Sequence, residues 1–184
     1  MKKLCVFCGS AAGKGEHYVN AAKKLGKSLA ENQIGLVYGG ASVGVMAAVA
    51  DACLETGGQV WGVIPESLVK WEVAHDNLTD LLVVDSMHER KQKMYDLSNA
   101  FVALPGGFGT LDELCEILTW AQLKYHAKPI YLLNEDGFYD HLLKHFHYIN
   151  EQGFLREGHL ELVIEVKSIE ELMDKLAKLP NEGA

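Results

Sequence analysis

The chain has 184 residues, of which 48% are hydrophobic and 23% charged, which is enough apolar material for one domain with a sizeable core. Its formal charge of −8 argues against a general nucleic-acid-binding or acidic-membrane surface, because such surfaces need dense positive charge. The N-terminal apolar run is too short for a signal sequence, and no segment approaches the roughly 18 apolar residues of a membrane span, so we expect a cytoplasmic protein.

Apolar, β-rich runs alternate with helical patterns from one end of the chain to the other. The first run, KLCVFC (3 to 8), precedes an amphipathic stretch with apolar residues at helical spacing from Tyr18 to Leu29. The second, IGLVYGG (34 to 40), precedes a mostly apolar helical pattern that ends at Gly57. Five further runs follow, namely QVWGVIP (59 to 65), DLLVVD (80 to 85), AFVALP (100 to 105), KPIYLLN (128 to 134) and ELVIEV (161 to 166).

Continuous apolar runs are typical of strands that are buried on both faces, as they are in a parallel sheet. The intervening helices supply the right-handed crossover connections that such a sheet needs. The sequence therefore predicts an α/β fold with a doubly wound, Rossmann-like parallel sheet of about six to seven strands flanked by helices. No repeat or linker divides the chain, so we expect a single domain over residues 1–184 that ends in a short flexible tail, LPNEGA.

Two of the four cysteines, Cys5 and Cys8, form a C-x-x-C pair that could indicate redox or metal chemistry. A redox pair opens a helix, whereas these two residues lie in a predicted strand and point to opposite faces. A zinc site would need a second pair of ligands, and Cys53 and Cys115 are isolated. We therefore expect structural thiols and no metal site.

Glycines fall at the carboxyl ends of three predicted strands, where an open α/β sheet binds its ligands. Helix N-termini at these ends point N–H groups outward, and glycine allows a ligand to approach the backbone closely. The glycines do not match a dinucleotide or nucleoside-triphosphate fingerprint. The sequence therefore predicts a pocket for a small anion, formed by Gly9 after the first strand, by Gly39, Gly40 and Gly44 after the second, and by Gly106, Gly107 and Gly109 after the fifth.

The segment ALPGGFGTLDE allows two interpretations of Glu113. Thr110 and Glu113 match a T-x-x-E capping box, in which Thr110 would be the N-cap and Glu113 would bond back to its amide. Alternatively, Glu113 is a carboxylate that works on a ligand held by the glycine turn. Glutamine also serves in a capping box, so Glu113→Gln separates the two interpretations.

A second polar cluster, DSMHERKQKM (85 to 94), follows the fourth strand and includes Arg90 and Lys91. It is either a solvated basic helix face or part of the anion site. Arg90 could supply the forked donor that suits a phosphate.

These motifs resemble those of one known family. PGGFGTLDE is similar to the PGGxGTxxE signature of the LOG (Lonely Guy) family, the cytokinin riboside 5′-monophosphate phosphoribohydrolases, and MHERKQKM resembles that family's M-H-x-R-K-x-x-M. CVFCGS, YGGASVGVM, GVIP, LTWAQL and KPIYLLNEDGFYD resemble further segments of the family in the same order. The resemblance spans roughly Leu4 to Leu155.

The resemblance implies hydrolysis of the N-glycosidic bond of adenosine 5′-monophosphates, including N6-modified ones, to free base and ribose 5-phosphate. It implies no metal or organic cofactor, and a homodimer. The catalytic pair falls on Arg90 and Glu113. The expected substrate-binding residues are Gly9, Ser10, Gly39, Gly40, Met87, Arg90, Lys91, Pro105, Gly106, Gly107, Gly109, Thr110 and Glu113.

The chain also departs from the family's usual YGGGxxGLMG, because Ala41 and Ala47 replace glycines and Val45 replaces leucine. Alanine would be strained at position 41 if that position required a positive φ. Glu72 and His75 resemble a family segment near the base pocket only loosely.

Two alternatives to the hydrolase stay open from sequence. A non-catalytic nucleotide or cofactor carrier could use the same phosphate rim, since a fold does not determine a function. A pyridoxal-phosphate-dependent lysine decarboxylase would require a Schiff-base lysine and an aspartate partner, and no motif marks such a lysine.

Overall fold

The computed structural model describes residues 1–69 and 74–180, and its centre is a seven-stranded sheet in which all neighbouring strands pair in parallel. The strand order β4-β3-β2-β1-β5-β6-β7 is doubly wound, which confirms the predicted fold class and strand count. The strands are β1 (Lys3–Phe7), β2 (Gly35–Tyr38), β3 (Val60–Pro65), β4 (Asp80–Val84), β5 (Ala100–Ala103), β6 (Ile130–Leu133) and β7 (Val163–Val166).

Helices connect successive strands, as the alternating pattern predicts. Those of the described residues are α1 (His17–Glu31), α2 (Gly44–Glu55), α3 (Glu66–Val69), α4 (Met87–Leu97), α5 (Phe108–Gln122), α6 (Asp140–Glu151) and α7 (Ile169–Ala177), with short 3-10 helices at Glu135–Gly137 and Leu160–Leu162. None of the helices in the described ranges is both long and apolar enough to cross a bilayer.

The sheet has a hydrophobic core on each face, and β1 contributes to both. Leu4 and Val6 pack with apolar residues of α1, α2 and α7, whereas Cys5 and Phe7 pack with those of α4 and α5. This alternation is why β1 is apolar at every position after Lys3. It also places the two cysteines of the C-x-x-C motif in different cores, as predicted, because Cys8 belongs to the first core.

The chain reverses its direction of winding between β1 and β5, which pair side by side at the centre of the sheet. The connection after β1 leads to α1 on one face, and the connection after β5 leads to α5 on the other. Such a switch point opens a crevice at the carboxyl ends of the strands, where doubly wound folds bind ligands.

The loop after β2 accommodates the substitution at Ala41 without backbone strain. Its left-handed positions are Gly40 (φ 77°) and Gly44 (φ 58°), and Ala41 is not among the described residues with positive φ. Residues 181–184 of the predicted flexible tail, and Glu72, lie outside the described ranges.

Candidate active site

A cavity of about 180 Å³ lies at the switch point. It is bounded by the loops after β1, β2 and β5 and by helices α4 and α5, so the three predicted glycine turns meet there. Its lining residues are Val6, Cys8, Gly9, Ser10, Gly39, Met46, Arg90, Gly107, Phe108, Gly109, Thr110 and Glu113.

The turn after β5 is a helix N-terminus without a side-chain cap. Helix α5 begins at Phe108, with Gly107 as its N-cap, and no side chain bonds its first amides as a cap. These first N–H groups have no partner within the helix and carry the positive end of its dipole. Added Cβ atoms at Gly107 and Gly109 would meet nothing within 4 Å, so both backbones are open to a ligand. The turn therefore has the structure of an anion site.

The neighbouring Gly106 has a different role, because protein atoms surround it. A Cβ on Gly106 would overlap Thr110 Oγ1 and lie 2.9 Å from the amide nitrogen of Gly9. The Gly9 amide donates to the Pro105 carbonyl at 3.2 Å. Glycine at position 106 thus lets the β5 turn pack against the β1 turn, which brings the two sides of the cavity together.

Of the two interpretations of Glu113, the capping box with Thr110 as N-cap is wrong. Because α5 begins at Phe108, Thr110 lies inside the first turn rather than at the N-cap, and its side chain is 3% exposed. Glu113 is a further turn along the helix and lines the cavity. The structure therefore removes capping as the explanation for Glu113.

Arg90 reaches the cavity from α4 and is fixed by two backbone carbonyl groups, one within β3 and one just after β2. Its side chain is 5% exposed, its Nε donates to the Val63 carbonyl at 3.1 Å, and its Nη2 donates to the Gly39 carbonyl at 3.0 Å. An arginine has five N–H donors, so this anchoring leaves donors for a ligand. A Cβ on Gly39 would overlap Nη2, so a side chain at this position would displace the guanidinium.

The charges of Arg90 and Glu113 act on the same buried thiol. Burial raises the pKa of Cys8 well above its ordinary value, the negative charge of Glu113 raises it further, and the positive charge of Arg90 lowers it. Both side chains also line the cavity next to Cys8. The predicted catalytic pair therefore lies around one small space.

Most of the predicted substrate-binding residues lie around this cavity, and five do not line it. Pro105 and Gly106 line an adjoining, more apolar cavity of about 200 Å³ that shares Gly9, Ser10 and Gly107 with the first. The other three are Gly40, Met87 and Lys91. Gly40 lies in the turn behind Gly39, and Lys91 faces helix α5. Met87 is 41% exposed at the start of α4, and its sulfur lies 3.9 Å from Arg90 Nη1.

Four lining residues were not predicted from sequence, namely Val6, Cys8, Met46 and Phe108. In the sequence, Val6 and Met46 look like ordinary core positions and Cys8 looks like a structural thiol. Phe108 is the non-glycine residue between Gly107 and Gly109, and it is 92% exposed. Its position inside the glycine turn was the available signal.

His75 supports the β2 turn from outside the cavity. Its backbone amide donates to the Gly40 carbonyl at 3.1 Å, and its Nε2 lies 2.8 Å from Asp51 Oδ1. These contacts connect the segment that begins at Ala74 to the turn that carries Gly39.

Comparison with known proteins identifies the family. The family model described as "Possible lysine decarboxylase" matches residues 46–176. Two relatives come from Oryza sativa subsp. japonica. The probable cytokinin riboside 5′-monophosphate phosphoribohydrolase LOGL9 is 47% identical over 95% of this chain and 77% of its own length. The cytokinin riboside 5′-monophosphate phosphoribohydrolase LOG is 46% identical over 95% of this chain and 72% of its own length. The chain belongs to the LOG family. A further LOG relative, LOG5 of Arabidopsis thaliana, is 43% identical over 99% of this chain and 81% of its own length.

Solved structures share the fold of this LOG family member at low sequence identity. A molybdenum cofactor binding protein from Rippkaea orientalis has a TM-score of 0.73 and 22% identity, covering 96% of both chains. The molybdenum cofactor carrier protein from Chlamydomonas reinhardtii has a TM-score of 0.71 and 22% identity, again over 96% of both chains.

The lysine decarboxylase description does not fit the cavity of this LOG family member. Pyridoxal phosphate chemistry needs a lysine that forms a Schiff base with the cofactor. The described residues that line the cavity include no lysine. The described part of the chain also contains no cluster of three or more histidine, cysteine or acidic side chains placed to hold a metal ion.

Proposed function

We propose that this protein hydrolyses the N-glycosidic bond of adenosine 5′-monophosphates, including N6-modified ones, and releases the free base and ribose 5-phosphate. The observation that carries the proposal is the cavity at the switch point, where an open helix N-terminus, a guanidinium and a carboxylate face one space. The names of the 43–47% identical relatives support the same reaction.

The 5′-phosphate would bind at the turn that contains Gly107, Gly109 and Thr110. The uncapped N–H groups and the helix dipole favour an anion there, and the two open glycines allow phosphate oxygens to approach the backbone. Ser10 lines the opposite side of the cavity and adds a hydroxyl group. Binding energy from this remote group positions the ribose for reaction.

Glu113 lies one turn beyond Thr110, where a ribose attached to that phosphate would lie. Cleavage of an N-glycosidic bond develops positive, oxocarbenium-like charge on the sugar. A fixed carboxylate stabilises that charge and can orient the attacking water. We assign this role to Glu113.

Arg90 provides a fixed positive charge on the other side of the same space. Its anchoring by Gly39 and Val63 restricts the guanidinium to one orientation. Its remaining donors can bind a phosphate oxygen or stabilise the departing base. Both roles predict that loss of Arg90 lowers turnover.

The deciding experiment measures ribose 5-phosphate release from AMP and from isopentenyladenosine 5′-monophosphate, side by side, without added metal or pyridoxal phosphate. We expect release from at least one substrate, and loss of it in Glu113→Gln with an unchanged circular dichroism spectrum. Glu55→Gln is the matched control, because Glu55 is an exposed residue at the end of α2. Tight nucleotide binding with no release from either substrate would refute the hydrolase and favour a nucleotide carrier.

We also propose that the active form is a homodimer. Val83 on the edge strand β4 is 54% exposed, and Met87, at the start of the helix that carries Arg90, is 41% exposed. Light scattering after size-exclusion chromatography tests this, and a mass near the chain's 20.3 kDa would refute it.

A further inference from the structure

Helix α4 presents two neighbouring basic side chains that diverge. Arg90 runs inward to the carbonyl groups of Gly39 and Val63. Lys91, the next residue, runs sideways to α5, where its Nζ lies 3.2 Å from Asp112 Oδ2 and 3.0 Å from Glu116 Oε1. We call the contacts of Lys91 with these two carboxylates the interhelical bridge.

The interhelical bridge has a protected half, Lys91 with Glu116, and an exposed half, because the Asp112 side chain is 60% exposed. The Lys91 side chain is 11% exposed, and that of Glu116 is 25% exposed. Burial alone would lower the pKa of Lys91, but the hydrogen bonds to Glu116 and Asp112 outweigh burial and raise it. If Lys91 turned toward a substrate phosphate, it would break both ion pairs and leave the partly buried Glu116 without its cation.

The bridge lies at the part of α5 that carries Glu113. Asp112 and Glu116 are four residues apart, so they lie on one face of the helix, and Glu113 lies between them in sequence. Lys91, Glu113 and Glu116 also line the same narrow gap beside Phe7 and Phe101. The bridge therefore connects the helix of Arg90 to the helix of Glu113 within one turn of both residues.

We infer that Lys91 is a positioning residue, whose interhelical bridge fixes the separation of Arg90 and Glu113, and that it does not bind the substrate phosphate. The inference rests on the proposed function, because it concerns the same cavity. It differs from the role that sequence resemblance implies for Lys91, which is direct binding of the substrate. A positioning role involves Asp112 and Glu116 as well as Lys91 and affects kcat. A phosphate-binding role involves Lys91 alone and affects the Kd for ribose 5-phosphate.

The experiment compares Lys91→Gln with the double variant Asp112→Asn/Glu116→Gln, which removes the other half of the bridge. A positioning role predicts that both reduce kcat by about 10-fold or more, since small displacements of catalytic groups cost this much. The KM for AMP and the Kd for ribose 5-phosphate, measured by calorimetry, should stay within about twofold. Lys91→Arg should recover much of kcat, because arginine can bind two carboxylates at once.

Two results would overturn the inference. The first is a weakening of ribose 5-phosphate binding by about 10-fold or more in Lys91→Gln while the acidic double variant binds normally, which would identify a phosphate ligand. The second is unchanged kcat in the double variant, which would show that the bridge is only structural. If Lys91→Gln does not fold, the double variant still tests the positioning role, since an unchanged kcat in it would overturn the inference.

Failure of the proposed function would be recognised separately. In that case the unmodified protein releases no ribose 5-phosphate from either nucleotide. The calorimetric comparison does not depend on turnover, so it still determines whether Lys91 binds the phosphate.

Discussion

Replacement of Gly39 by alanine tests the central geometry of the site, because it acts on Arg90 without changing any charge. The new methyl group would overlap Arg90 Nη2 and lie 3.0 Å from the sulfur of Met46. Methionine can move, but the guanidinium is fixed by Gly39 and Val63 and is 5% exposed. We therefore expect Arg90 to leave its two carbonyl partners.

The cost follows from these two contacts. Hydrogen bonds from a charged group are each worth about 1.5–3 kcal/mol, and partial relaxation should reduce the sum to about 2–4 kcal/mol. For a chain of this size, that loss lowers Tm by about 4–16 °C. Displacement of the guanidinium should also reduce kcat by about 100-fold or more, as the loss of one transition-state donor does.

The assays are thermal unfolding followed by circular dichroism and ribose 5-phosphate release under saturating AMP. Gly39 has no positive φ, so alanine would introduce no backbone strain that could mimic the result. If the Gly39→Ala variant kept the Tm and the turnover of the unmodified protein, Arg90 would not depend on this contact, and the reasoning would be wrong.

Two further predictions concern the glycine turn and the thiols. Gly109→Ala should raise stability by about 0.5–1 kcal/mol, since Gly109 lies in the first turn of α5 with open space around it, yet it should weaken ribose 5-phosphate binding at least several-fold. Stronger or equal binding, measured by calorimetry, would mean that phosphate does not approach this backbone. Brief iodoacetamide treatment at about pH 8 should label Cys115 first, because it is exposed and the three other cysteines are buried, although burial raises the pKa of all four thiols. Mass spectrometry of the peptides identifies the labelled thiol, and modification of Cys8 first would contradict the structure.

The sheet could be predicted from sequence because strands that are buried on both faces appear as continuous apolar runs. Each of the seven apolar runs contains one strand, and every strand is shorter than its run. The run 34 to 40, for example, contains β2 at Gly35–Tyr38, followed by the turn that holds Gly39. The runs of β1 and β2 extend past their strands because Cys8 and Gly39, which line the cavity, are also buried.

The start of α5 could not be predicted, because a glycine acts as its N-cap. The T-x-x-E pattern at Thr110 gave a false position for the helix start. Ser–x–x–Glu patterns mark true starts elsewhere, since Ser86 accepts from the Glu89 amide and Ser168 accepts from the Glu171 amide. Because no side chain caps α5, the first amides of this helix remain available to a ligand.

The hydrogen-bond partners of Arg90 and Lys91 could not be predicted from sequence either. Arg90 and Lys91 are adjacent on α4, and both could equally have bound a phosphate on composition alone. Their separation depends on Gly39 and Val63 on one side and on Glu116 on the other, which only the fold brings together.

The way Arg90 is anchored determines how much of its charge a ligand in the cavity meets. Its anchors are neutral carbonyl dipoles, so they hold the side chain in place without cancelling its charge. A chain with a formal charge of −8 thus keeps an unneutralised guanidinium in one crevice, and an anion is drawn to that point although the molecule as a whole repels it.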